Sequence, residues 1–389
     1  MPEYEYLIIG GGMAAGAAIR GIREVDRTGS IGVLGAEQNN PYARPPLSKG
    51  LWKDAPVSSV WIDIQDLGAD LRLGKTARDL NLSNHRVSDD SGATYSYRKL
   101  LLATGGTPRR LSFGGESVIY YRTLDDYHRL RGLTEQRQRF AVIGGGFIGS
   151  EIAAALAMNQ KTVSLIFPES AIGSRMFPGD LAQFLNRYYT EKGVEVLSGE
   201  QVIGMEERDG AMRIVTANRE LLVDGVVAGI GIQPNIELAK AAGLETANGI
   251  IVDETLHTSD PDVLAAGDVA EFFNPALRKR LRVEHEDNAN TMGGMAGRSM
   301  AGESVHYDHL PFFYSDLFDL GYEAVGDLDS RLETHAQWKE QYREGVVYYL
   351  ENGRVRGVLL WNVWGKVDAA RELIAQTGPF RPQDLSDRL

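Results

Sequence analysis

Two apolar runs, Tyr6 to Ile9 and Phe140 to Ile143, each give way to a glycine triplet and then to a stretch rich in alanine. An unbroken apolar run of this length predicts a strand covered on both faces, and the small-residue stretch predicts a helix packed close to it. The glycines between are Gly10-Gly11-Gly12 and Gly144-Gly145-Gly146; Ala15 and Gly149 hold the third position of each fingerprint. The first glycine allows the tight turn, the second lets backbone approach a pyrophosphate, and the third position lets helix lie on strand. Another apolar run follows each helix, Ile31 to Leu34 and Val163 to Phe167. Just past each run stands an acid, Glu37 or Glu169, where a ribose hydroxyl is read. Two complete copies predict two dinucleotides.

The same patterning predicts an α/β protein with two Rossmann-like dinucleotide-binding domains and a smaller C-terminal α+β domain. The first domain is discontinuous, 1–115 with 233–308; the second is 116–232; the third is 309–389. Between Asn39 and Ser48 three prolines predict an extended loop. Helices are expected near Asp125 to Leu133, Ser150 to Asn159, Leu181 to Lys192 and Asn288 to Ala301. The run Gly229 to Asn235 reads as a crossing point, and the apolar stretch before Gly267-Asp268 as a short strand. An Asp there can accept hydrogen bonds from a polyol chain or cap a helix. The C-terminal part alternates aromatic strands, turns at Asn352-Gly353, and closes with a helix from Val367 to Gln376, which predicts a mostly antiparallel sheet.

Composition narrows the chemistry. The chain has 389 residues, 43% of them hydrophobic, enough for more than one core. A net charge of -12 argues against a nucleic-acid surface. One basic cluster, Arg278-Lys279-Arg280 with Arg282, reads either as a solvated hairpin edge or as a docking patch for an acidic partner. There is no cysteine, which excludes a redox dithiol, an iron-sulfur cluster and a thiolate metal site in this chain. Seven histidines lack metal-ligand spacing, so no metal site is expected. No apolar run reaches membrane-span length and the first strand begins close to Met1, so a cytoplasmic protein is expected.

The ordered motifs GGGMAA, PYARPPLSK, LLATGGTPR, GGGFIGSE, GIQPN and the AAGD and RVEHEDNA segments resemble, along essentially the whole chain, the flavoprotein reductases that pair FAD with NADH. Within them the chain is similar to the ferredoxin and rubredoxin reductases and to the apoptosis-inducing factor branch. The resemblance implies FAD on the first fingerprint and a nicotinamide cofactor on the second. For FAD it implies contacts from Gly10, Gly12, Met13, Ala14, Ala15, Glu37, Arg44, Lys49, Ala77, Thr104, Gly105, Arg122 and Asp268, with Tyr314 against the isoalloxazine. That family usually carries its ribose acid one place before Glu37, where this chain has Ala36. For NADH it implies Gly144, Gly146, Phe147, Ile148, Gly149, Glu169, Arg175, Gly231, Glu284 and Asn362; His285 and Glu323 are further implied cofactor contacts. Phe147 matches an aromatic that gates the nicotinamide face.

The resemblance also implies that Lys49 and Glu151 meet near flavin N5, where a positive charge stabilises reduced flavin. A purely structural ion pair is the alternative reading. An acid at Glu169 favours NADH over NADPH, although Arg175 stands close in sequence. The segment Arg282 to Ala289 is a hybrid, its Val-Glu-His like the apoptosis-inducing factor and its Asn-Ala like oxygenase-coupled reductases. The expected activity is hydride transfer from NADH to FAD, with electrons then passing to ferredoxin, rubredoxin, quinone or oxygen. The alternative is a slow NADH-sensing flavoprotein whose reduced, NAD-bound form recruits a partner. A monomer or homodimer is expected.

Overall fold

The apolar run Tyr6 to Ile9 lies in the strand Glu3–Ile9, flanked in parallel by Ile31–Gly35 and by Thr94–Leu102. The computed structural model describes residues 1–389 apart from Asp209 and Asp387. Two units result. Met1–Ala43, Ser58–Thr107 and Gln233–Phe312 form one; Arg44–Val57, Pro108–Ile232 and Phe313–Leu389 form the other.

In the first unit Ala69–Leu73 extends the parallel sheet on one side, and Val263–Ala265 joins it against Leu100 to Leu102 on the other. Leu7, Ile8 and Leu100 to Leu102 are wholly buried. Unbroken apolar runs are what such a two-sided position demands, and each side chain so buried contributes about 1.5–3 kcal/mol. The start of the long strand Thr94–Leu102 pairs antiparallel with Arg86–Asp89, which pairs with Ala77–Asn81. Helices Met13–Val25 and Glu286–Met300 lie against each other, and their spacing is set by glycine. A Cβ at Gly21, Gly293 or Gly297 would run into the carbonyl of Gly294, Ala14 or Ala18 on the facing helix.

The second unit carries the second glycine fingerprint in a five-stranded parallel sheet, ordered Val194–Ser198, Thr162–Phe167, Arg139–Ile143, Gly225–Ala228, Val118–Tyr120. A three-stranded antiparallel meander, Val202–Arg208, Ala211–Thr216 and Glu220–Val223, leads into the fourth of these. The C-terminal sheet is five-stranded, in the order Phe312–Leu317, Leu320–Gly326, Arg354–Trp361, Glu344–Glu351, Glu333–Glu340. The pairings among its last four strands in this order are antiparallel. The turn joining the strands at 351 and 354 has Asn352 at φ 52° and Gly353 at φ 72°, the left-handed pair a two-residue hairpin needs. Helix Val367–Ala375 packs on this sheet.

The proline-rich segment differs from its expected extended form. Pro45–Ser48 and Gly50–Lys53 are single 3-10 turns. Proline at the first helical position brings a preset φ and needs no hydrogen-bond donor there, so Pro45-Pro46 starts a turn. The segment is fastened inside the second unit: Trp52 Nε1 donates to the Leu47 carbonyl at 2.8 Å, and the Tyr121 hydroxyl donates to the same carbonyl. The basic cluster is a hairpin edge between Ala270–Asn274 and Lys279–Leu281. Arg280 folds back to the carbonyls of Val252 and Glu271, at 2.7 and 2.8 Å, and Arg282 pairs with Glu284.

Asp224 ties the second unit's sheet to the start of its central strand. It accepts from the Arg139 side chain at 2.9 Å and from the backbone N–H groups of Arg139 and Gln138. The guanidinium, then these amides, hold its carboxyl down at about 2 against 3.8. A depressed carboxyl stabilises the fold above its unfolded value and loses that contribution as pH falls through the folded value. Asp224→Asn is therefore expected to flatten acid unfolding between those two values, by about 1 kcal/mol after solvent screening. Urea midpoints measured across that range test it; equal slopes in both proteins would remove Asp224 from the account.

Candidate functional site

The two phosphate turns repeat each other in detail. Gly10 and Gly144 have φ of 117° and 115°, and a Cβ on either would strike the carbonyl of Ala103 or Gly229 on a neighbouring segment. Both positions therefore require glycine. Gly12 and Gly146 stand at the N-caps of helices Met13–Val25 and Phe147–Met158, with no side-chain cap. A Cβ there would meet nothing within 4 Å. Packing does not demand these second glycines; open space at a helix N-terminus is the cradle a pyrophosphate fits. At the third position Ala15 is wholly buried, whereas a Cβ at Gly149 would run into the Gly144 carbonyl. Met13 and Ala14 are buried in the first turn of their helix, and Ile148 is half-buried in the first turn of its own.

The two acids expected to read a ribose have different surroundings. Glu37 is half-buried and accepts from the Tyr42 hydroxyl at 2.6 Å, while Ala36 before it is exposed. Glu169 accepts from Arg175 at 2.6 Å, so the acid and the nearby cation are joined. Thr104 and Gly105 close on the crossing segment: the Thr104 hydroxyl donates to the Asn235 carbonyl at 2.8 Å, the Asn235 amide donates to the Thr104 carbonyl, and Asn235 N–H donates to Gly105. Ala77 opens its own edge strand.

Asp268 sits in a single 3-10 turn, Gly267–Val269, directly after the strand Val263–Ala265. Its carbonyl accepts from Arg282 at 3.0 Å, and Arg282 also pairs with Glu284 at 2.9 Å. His285 caps the helix Glu286–Met300, and burial pushes its imidazole down to about 4, so it is neutral at pH 7.

The second unit assembles the remaining candidates. Arg44 donates to the Arg122 carbonyl at 2.9 Å. Arg122 in turn is held by a capping box, Thr123 with Asp126, whose carboxylate also accepts from Arg122 N–H. Lys49 Nζ lies 2.8 Å from Glu151 Oε1, with side chains 12% and 3% exposed. Glu151 takes two more donors, the hydroxyl of Ser48 at 2.5 Å on Oε2 and that of Ser315 at 2.6 Å on Oε1. Both serines are buried. Lys49 also lies over the Tyr314 ring, 5.2 Å from its centroid. Phe147 is exposed and leans edge-on against Phe313, centroids 5.1 Å apart.

Gly231, at φ 86°, accepts from Arg109 N–H at 2.9 Å. Glu323 accepts from Gly365 N–H, and burial raises its carboxyl. Asn362 uses both ends of its amide on backbone, accepting from Gly321 at 2.7 Å and donating to Arg343 at 2.9 Å. Ser48, Ser315 and Phe313 were not singled out in the sequence. The first stands beside Lys49, a usable signal; the other two come from a strand far along the chain. Among the described residues no cluster of His, Asp and Glu could hold a metal, and no helix is long and apolar enough to cross a membrane.

Two pyrophosphate cradles on parallel sheets, with a buried lysine-glutamate pair, define a dinucleotide-dependent oxidoreductase. Residues 4–293 match the pyridine nucleotide-disulphide oxidoreductase family, and the chain belongs to it. Residues 296–339 and 333–376 match the C-terminal domain described as apoptosis-inducing factor, mitochondrion-associated. The chain is 34% identical to apoptosis-inducing factor 1 of Dictyostelium discoideum, over 96% of this chain and 78% of that protein. It is 34% identical to the ferredoxin–NAD(+) reductase component of the anthranilate 1,2-dioxygenase system of Burkholderia cepacia, over 98% and 97%. Among solved structures, the putidaredoxin reductase–putidaredoxin complex superposes with a TM-score of 0.92 at 29% identity, over 100% of this chain and 96% of that one. The activity is that of an FAD-dependent NAD(P)H oxidoreductase.

Proposed function

We propose that the chain takes hydride from NADH onto FAD and passes the electrons singly to a small iron-sulfur carrier of the ferredoxin kind. One observation carries the reading: a member of a disulphide oxidoreductase family that contains no cysteine has no dithiol to reduce, so its electrons must leave from the flavin. The near full-length likeness to a ferredoxin reductase component supports a protein acceptor.

FAD supplies the hydride acceptor and the means of releasing the pair one electron at a time. In this reading residues 1–115 and 233–308 bind FAD, 116–232 bind NADH, and 309–389 form the third domain. Gly10, Gly12 and Ala15 cradle one pyrophosphate and Glu37 holds its ribose; Gly146 to Gly149 cradle the other. Asp268 takes the ribityl chain. Lys49 supplies positive charge toward flavin N5, Glu151 balances it in the resting protein, and Phe147 shields the nicotinamide face from water. The protein acts as a monomer or homodimer in the cytoplasm.

Glu169 sets the preference for NADH. Its carboxylate repels a 2'-phosphate and neutralises Arg175, the cation that would welcome one. Glu169→Ala is expected to narrow the NADH to NADPH ratio of kcat/KM about tenfold, a change of roughly 1.4 kcal/mol. An unchanged ratio counts against the ribose role.

A second reading is favoured by the match at residues 296–376: a slow NADH sensor whose reduced, NAD-bound form recruits a partner. Anaerobic stopped-flow mixing with NADH separates the two. Fast flavin bleaching followed by turnover with added ferredoxin supports the reductase. Slow bleaching with a long-lived charge-transfer band supports the sensor, and a protein that binds no FAD excludes both.

A further inference from the structure

We propose that Ser48 and Ser315 are positioning residues that tune the flavin: by donating to Glu151 they offset its negative charge and leave that of Lys49 free to act, given the function proposed above in which Lys49 faces flavin N5. Three elements meet at the Glu151 carboxylate. Glu151 belongs to helix Phe147–Met158, Ser48 closes the 3-10 turn Pro45–Ser48, and Ser315 lies in strand Phe312–Leu317. Glu151 is 3% exposed, and both serines are buried.

Hydrogen bonds are distributed unevenly over the ion pair. Glu151 Oε1 lies 2.8 Å from Lys49 Nζ and accepts from Ser315 at 2.6 Å, while Oε2 accepts from Ser48 at 2.5 Å. Both carboxylate oxygens are served. The Lys49 ammonium carries three N–H groups, yet among the described residues it has one polar partner, Glu151, beside the face of the Tyr314 ring. A buried pair that only joins two segments needs further hydrogen bonds on both charges; here only the anion has them. Ser48 has no better acceptor to turn to, since the Pro45 carbonyl is 3.5 Å away, at the limit of a hydrogen bond.

The direction of the effect follows from the hydroxyl dipoles. A serine that donates to a carboxylate turns the positive end of its O–H bond toward the anion, and such charge-assisted bonds are strong. Each weakens the pull of Glu151 on Lys49. Each also reduces the negative potential around Glu151, an effect that counts for more in a buried site of low dielectric. Reduced flavin carries negative charge, so Lys49 stabilises it and Glu151 opposes it. Both serines therefore favour reduction.

The test is the midpoint potential of the FAD-loaded protein, measured by dithionite titration against a reference dye, so that no turnover with NADH is needed. Ser48→Ala with Ser315→Ala is expected to lower the reduction equilibrium constant about tenfold, roughly 30 mV for a two-electron couple. In a Glu151→Gln protein, whose potential should lie above that of wild type, the same two alanines should change nothing, because no anion remains to offset. Serines that act only through packing would shift both backgrounds alike, and that result overturns their role. Flavin absorbance shows that each variant retains FAD; where the double alanine variant loses it, Ser315→Ala alone decides, with the same direction expected. An unchanged potential in the alanine variants overturns the tuning, and a lowered potential in Lys49→Ala then still keeps the lysine at the flavin. If Lys49→Ala also leaves the potential in place, the lysine's flavin role falls and the tuning by Ser48 and Ser315 falls with it.

Discussion

Gly149→Ala is expected to cut nicotinamide-dinucleotide affinity roughly ten- to hundredfold while leaving FAD in place. The new Cβ would overlap the Gly144 carbonyl, the turn's own backbone, which has no rotamer to adopt. Relief requires the helix Phe147–Met158 to move off the strand, at about 1–3 kcal/mol, and the helix N-terminus proposed to hold the pyrophosphate moves with it. The first copy shows how local the constraint is, because it holds an alanine, Ala15, at the same place with full burial. Flavin absorbance reports FAD retention, and titration of the oxidised protein with NAD reports the second site. Unchanged NAD affinity would mean that the turn tolerates the methyl and that Gly149 does not set the cradle.

Lys49→Ala is expected to slow flavin reduction about a hundredfold, the order seen when one preorganised charge is withdrawn from a developing anion. It also breaks a buried pair. Glu151, 3% exposed, would keep only its two serine donors, and such a change costs about 3–5 kcal/mol of stability. These effects are separable. Lys49→Met with Glu151→Leu removes both charges and should recover most of the thermal stability, yet flavin reduction should remain slow. A double variant that regains the wild-type rate would make the pair a structural one.

The reasons why some features were legible in the sequence are physical. A phosphate turn is local: its glycines, the strand before and the helix after lie within a short window, and the left-handed φ at Gly10 and Gly144 is a demand that few residues meet. Asn352-Gly353 was legible on the same ground. The Lys49 network was readable only at its charged members, through family resemblance. Ser48 and Ser315 reach Glu151 across 103 and 164 positions of chain, and a serine carries no sequence mark of its distant acceptor. Pro45-Pro46 misled because proline suits both an extended loop and the first turn of a helix. The meander from Val202 to Val223 has alternating residues that fit any half-buried strand, so neither its count nor its pairing could be read in advance.

The glycine contact between helices Met13–Val25 and Glu286–Met300 has a consequence for synthesis on the ribosome. The first helix emerges early, but the partner that covers its small-residue face is made only after the whole second fingerprint and its sheet have been translated. Val263–Ala265, which completes the first sheet against Leu100 to Leu102, is equally late. Contacts closed over such a span form slowly. The N-terminal strands must therefore wait, with one edge and one helix face uncovered, while the segment between them folds first. A nascent chain stalled before residue 263 should bind holding chaperones through that uncovered face, and release from them should coincide with the arrival of Gly293 and Gly297.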